Sequence, residues 1–197
     1  QGVFNKILVH ISVNTVAAYQ VAGRLDMLVF LPIFSIAASL TTLVGMFYGA
    51  KEYGALRYII KYGIFSALLI TIISSTIVYT FAGHVVRFFT DDASIVIIAV
   101  NFLQIFAFAY PFISVGITTG RVLQGLGKGL PVLIITIVRV LGVSAPLALF
   151  FVFIMDKTVE WVWYSMMLST VVAFGIGLTW LISTLKTLPT SGQSLNN

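Results

Sequence analysis

Few side chains in this 197-residue sequence could do chemistry, and most of those that could lie inside long apolar runs. In Asn101, Gln104, Phe108, Phe112 and Thr119, amides, rings and a hydroxyl recur at helical spacing, so one stripe of a helix would carry them all. Such a stripe suits two tasks. It can bind an amphiphilic or aromatic cation, with rings for cation–π contact and amides for adjustable hydrogen bonds. It can equally join helices by hydrogen bonds in a bundle core. Upstream, Gln20 and Arg24 stand four apart on one helical face with Met27 and Leu31. Asp26 points about 200° round the helix from Arg24 and shares a face with Tyr19, Ala22 and Phe30. The two charges are therefore not a pair on that helix, and each needs a partner from another helix, from water or from outside the chain. Asp26 is the one acid near such a run that could carry a coupling proton or cation; hydration at an outer interface is the alternative for both residues.

Other chemistry has no carrier. His10 and His84 lack metal-ligand spacing to each other or to the acids, and H-E-x-x-H is absent, so no metal site is expected. There is no cysteine for disulfide, zinc or thiol chemistry. Val122 to Gly129 lacks the first glycine of a phosphate loop and ends in Gly where Ser or Thr is needed, which leaves a flexible turn. No Ser, His and acid constellation is recognisable, and the sequence does not read as an enzyme.

The elements that position these residues follow from composition. Hydrophobic residues make up 59% and charged residues 9%, too few charges to cover a water-facing surface, so the lipid bilayer is the solvent. Free of Asp, Glu, Lys and Arg are Ile7 to Gly23, Met27 to Ala50, Tyr62 to Val86, Ala93 to Gly120 and Trp161 to Leu185; Gly129 to Met155 is interrupted only by Arg139. A helix needs about 20 apolar residues to cross. With a turn around Ser12 to Thr15, the runs predict an all-α polytopic bundle of six membrane helices over 1–188, the first truncated, followed by a disordered polar tail over 189–197. The chain opens at Gln1 with no leader pattern, which reads as a processed product or a piece of something longer.

Lys51, Arg57, Lys61, Arg121, Lys128 and Lys186 follow the even-numbered spans, and this Lys and Arg excess places those connections and the C-terminus in the cytoplasm. The net charge of +5 is thus a topology signal, and with no basic stripe it does not point to nucleic acid. Tyr48, Tyr53, Tyr58 and Tyr62 cluster at one proposed interface and Trp161, Trp163 and Tyr164 at the other. Lys51 to Tyr62 and Gly83 to Thr90 mix charge with apolar residues, as a short interfacial helix or a solvated loop would. Arg139, about 12 Å along its helix from Pro131, reads as an anchor snorkelling to the cytoplasm or as a substrate ligand. Pro32, Pro111 and Pro146 should kink their spans, whereas Pro131 suits a first turn. Gly45 with Gly49 and Gly125 with Gly129 satisfy G-x-x-x-G, for packing within the bundle or for dimerisation.

Ala17 to Ala50, beginning A-A-Y-Q-V-A-G-R-L-D and ending L-V-G-M-F-Y-G-A, resembles the second helix of each half in the MATE (multidrug and toxic compound extrusion) transporters. Gly116 to Pro131 looks like that family's glycine-rich turn and following proline, and Phe88 to Asp92, F-F-T-D-D, like its loop before the tenth helix. The resemblance implies the second six-helix lobe of a twelve-helix transporter in the cell (inner) membrane. Its partners would be a missing N-terminal lobe, the lipid bilayer and an amphiphilic organic cation. Alternating access would couple export to Na⁺ or H⁺, with no other cofactor. Substrate would meet Gln20, Asn101, Gln104, Phe108 and Phe112, and Asp26 would couple the ion. Some members use acids on the seventh and tenth helices; here the tenth-helix region carries Asn101 and Gln104 instead, which favours coupling in the absent lobe. The alternatives are a lipid-linked saccharide flippase of the same superfamily, for which Arg24 and Arg139 would supply a basic cavity, and a half-transporter module that transports nothing alone.

Overall fold

The computed structural model describes residues 12–155 and 158–189. Among these, five helices are long and apolar enough to cross a membrane. They run as α1 (Val13–Gly49), α2 (Tyr53–Arg87), α3 (Ala93–Gly125), a composite fourth span, and α6 (Val159–Lys186). The fourth span stacks α4 (Leu130–Ile137), a π-helical segment (Val138–Ser144), α5 (Ala145–Leu149) and a second π segment (Phe150–Ile154). The expected truncated first helix, His10 and the tail beyond Pro189 lie outside the described residues.

Two of the helices, α1 and α3, begin where a side chain satisfies their first amides. The Ser12 hydroxyl caps α1 by accepting from Thr15 N at 3.2 Å, so Val13 to Thr15, expected in a turn, are the first residues of the helix. Asp92 caps α3 by accepting from the backbone of Ser94 at 2.8 Å and of Ile95 at 3.4 Å, and from the Ser94 hydroxyl at 2.6 Å. These bonds hold its exposed carboxyl below the usual carboxylate range. Pro131 occupies the first turn of α4 as its missing N–H allows. Neither segment expected to lie in the interface is a separate helix. Tyr53 to Tyr62 is the start of α2, and Gly83 to Arg87 is its end. At about 1.5 Å per residue, 35 residues make about 52 Å, so the ends overshoot an apolar core of about 30 Å without leaving the helix.

α3 is the hub, packed against α1, α2 and α6. Lys51 adopts a positive φ of 60° between α1 and α2, and Gly127 one of 76° between α3 and α4, so these two tight turns bring antiparallel neighbours together. At that end of the lobe Gly45 and Gly125 let α1 and α3 cross closely. A Cβ on Gly125 would stand 2.7 Å from Thr41 O, and one on Gly45 3.6 Å from Gly125 O. Gly49 and Gly129 have open space, so the glycine spacing serves one crossing inside the bundle. Arg57 of α2 closes the same end by donating from Nη2 to Leu185 O and Leu188 O, both at 3.0 Å.

Proline shapes two spans without breaking them. Pro111 lacks the N–H that would bond Ala107 O, and the Ser75 hydroxyl of α2 donates to that carbonyl instead. Pro146 stands two residues beyond the first π segment, whose wider turn lies where the proline ring would otherwise crowd the preceding turn. On exposed surfaces hydroxyls bond their own helix: Ser35 donates to Leu31 O and Ser39 to Ser35 O, each at 3.1 Å.

Candidate functional site

Asp26 has the interhelical partner that its place on α1 demanded. Tyr110 of α3, fully buried, donates its hydroxyl to Asp26 Oδ1, and Phe30 meets the Tyr110 ring edge-on at 5.3 Å. Asp26 lies about 20 Å from the start of α1 and Tyr110 about 26 Å from the start of α3, so the pair sits well inside the bundle. One turn beyond Tyr110, Ser114 is fully buried and its hydroxyl has no partner among the described residues. A carboxyl at this depth, held by a single neutral donor, has lone pairs left for a proton or a small cation. Arg24 and Gln20 are exposed on α1, away from this pair.

The five stripe residues do not meet one neighbour. Asn101 Nδ2 donates to Glu160 Oε1 of α6 at 2.7 Å. Phe108, 62% exposed, lies edge-on to Tyr79 of α2 at 5.6 Å. Phe112 returns to α6, where it packs on Phe174 at 5.3 Å, and Gln104 is half-buried between. Helices that cross at an angle present one stripe to different partners at different depths. Between Asn101 and Phe112 the inner surface is aromatic: Tyr19 stacks on Trp163 at 5.7 Å, and Phe102 packs on Phe106 at 4.2 Å and on Trp163 at 4.8 Å.

A cavity of about 340 Å³ opens between α3, the fourth span and α6, in the half of the lobe that carries the α1–α2 and α3–α4 turns. Phe112 and Thr119 line it together with Arg121 and Arg139, and no carboxylate is among the lining residues. Arg139, half-buried on the first π segment, points to this cavity, whereas its position in the sequence left anchor and ligand both open. Arg121 reads in the sequence as a loop charge, yet it belongs to the last turns of α3. Tyr110 had no sequence signal beyond being an aromatic residue in an apolar span.

The MatE family profile matches residues 1–150. The chain belongs to the MatE family. Members of this family are transporters and not enzymes, and the MatE chain described here is a multi-pass membrane protein. It is 28% identical over 145 residues to the probable multidrug resistance protein NorM of Thermotoga maritima, covering 74% of this chain and 31% of that protein. A MOP superfamily transporter from Pyrococcus furiosus, for which a binding pocket of reverse polarity is said to suggest a different function, superposes with a TM-score of 0.87 at 26% identity, over 94% of this chain and 42% of that one. Structures described as the inward-facing and the outward-facing conformation of a multidrug resistance MATE family transporter each give a TM-score of 0.80. Their identities are 26% and 27%, over 91% and 94% of this chain and 41% and 42% of theirs. The chain thus spans about a third of the length of the curated relatives it matches and forms one lobe of a larger fold.

Proposed function

We propose that this lobe belongs to a secondary active exporter that moves amphiphilic organic cations by alternating access, driven by inward Na⁺ or H⁺. The observation that carries this reading is the Asp26–Tyr110 pair, a carboxyl deep in a membrane bundle with one neutral donor and no cationic partner among the described residues. Binding of the coupling ion would compete with Tyr110 for the carboxyl and so bias how α1 sits against α3. Gln20, Asn101, Gln104, Phe108 and Phe112 remain the proposed substrate contacts, with the rest of the protein supplying the opposite wall. The chain matches inward-facing and outward-facing relatives equally well, which supports a lobe that moves as a unit. In this reading the protein lies in the cell (inner) membrane with its C-terminus cytoplasmic. The test is gradient-driven ethidium transport by the full-length protein in proteoliposomes. Asp26→Asn should abolish stimulation by a Na⁺ or proton gradient while ethidium binding persists; undiminished gradient-driven transport would remove Asp26 from coupling.

A further inference from the structure

The cavity between α3, the fourth span and α6 has the wrong charge for a cation. Arg121 and Arg139 both line it, and no carboxylate does. Arg121 is exposed, and among the described residues its guanidinium bonds the Gln124 side chain alone, at 3.2 Å. Arg139 is half-buried and has no hydrogen-bond acceptor or acid partner among the described residues. A guanidinium withdrawn from water and left without a counter-charge is costly, and an anion in the cavity would relieve that cost. A second observation points the same way. Thr119 is 1% exposed and lines the cavity, and its hydroxyl has no partner among the described residues, whereas Thr136 and Thr170 donate to their own helices, to Val132 O at 2.8 Å and Met166 O at 3.0 Å.

Apart from Gln124, Thr136 and Thr170 the remaining walls are apolar, with Phe112 against Phe174 and Ile135 beside Gly177. A Cβ on Gly116 would meet nothing within 4 Å, so the space continues along α3. We infer that this cavity is a binding site for an amphiphilic anion, its carboxylate or phosphate head held by Arg121, Arg139 and the Thr119 hydroxyl and its apolar body lying on Phe112 and Phe174. Arginine suits this task because its planar fork of donors matches the oxygens of such a head. The volume falls within the range that holds small amphiphiles. The site goes beyond the export reading, with which it shares Phe112 alone, and is read out by anion binding, so either can fail without the other.

The test uses the full-length protein in phosphatidylcholine nanodiscs, titrated calorimetrically with dodecyl phosphate and with dodecyltrimethylammonium. Dodecyl phosphate should bind at least tenfold tighter than the cation. Its affinity should fall at least tenfold in Arg139→Gln and in Gly116→Leu, which fills the open space, and should survive largely in Arg139→Lys. Arg121→Gln, at an exposed position, gives a loss that does not depend on refolding the interior. If phosphatidylglycerol added to the discs displaces dodecyl phosphate, the natural head group is that of a lipid; if it does not, the source is a soluble amphiphile. Equal binding of the two amphiphiles, or unchanged dodecyl phosphate affinity in both Arg121→Gln and Gly116→Leu, overturns the site.

Discussion

The crossing of α1 and α3 supports a paired prediction, because the same substitution at its two glycines should have opposite effects. Gly125→Ala places a methyl group 2.7 Å from Thr41 O and 3.0 Å from Val44 Cβ, and a backbone carbonyl cannot swing aside as a side-chain tip would. Overpacking of this kind costs about 1–3 kcal/mol, and with backbone on one side the upper end applies. Replacing a helical glycine returns up to ~1 kcal/mol. The net destabilisation is therefore about 2 kcal/mol, a fall in Tm of roughly 4–8 °C for a unit of this size. At Gly45 the new methyl meets Gly125 O at 3.6 Å, an ordinary contact, so Gly45→Ala should leave Tm unchanged or raise it by about 2 °C. Thermal unfolding of the purified full-length variants in one detergent checks both. If Gly125→Ala melts with the wild type, the close crossing is not a fixed feature of the lobe.

Ser75→Ala strands the Ala107 carbonyl and should destabilise by about 1–3 kcal/mol, but in a Pro111→Ala background, where an N–H is restored to that carbonyl, the same change should cost little; a double-mutant cycle by thermal unfolding reads the difference. Asp92 has a folded pKa below its unfolded value, so its cap stabilises the protein above about pH 4 and the benefit is lost as pH falls through the folded value; the Tm gap between wild type and Asp92→Ala should be open at pH 7 and close on acidification. Arg57→Ala should release the end of α6, raising amide hydrogen exchange around Leu185 to Leu188 while leaving the Asp26 end of the bundle unchanged.

The spans were legible because lipid imposes a simple demand: charge-free runs of sufficient length must be helices, and Ser12, Asp92 and Pro131 mark helix starts by chemistry that needs no neighbours. What depended on a second helix was hidden. Asp26 announced that it needed a partner, but Tyr110 lies 84 residues away in a run of aromatic and aliphatic residues that gives no sign of a hydroxyl's task. The residues of the stripe from Asn101 to Phe112 all lie on α3, yet α3 crosses its neighbours, so Phe108 goes to α2 and Phe112 to α6. Arg121 was assigned to a loop because charge in the last turns of a span and charge beyond it look alike in sequence. Lys51 to Tyr62 and Gly83 to Thr90, which read as short interfacial helices or as solvated loops, are mostly the ends of one long helix, because amphipathic composition does not distinguish a separate helix from such an overhang.

The wide turns of the fourth span have a consequence for how this region can change length. A π turn holds one residue more than the α turn it replaces, so residues 138–144 carry slack that a regular membrane helix does not. Removing one residue there would leave an unbroken α-helix with Ala145 and Ala148 still facing the bundle, whereas the same deletion in a regular α segment would swing everything beyond it by about 100°. The segment is thus a place in this lobe where the gain or loss of one residue can be taken up without resetting which face of the span meets its neighbours.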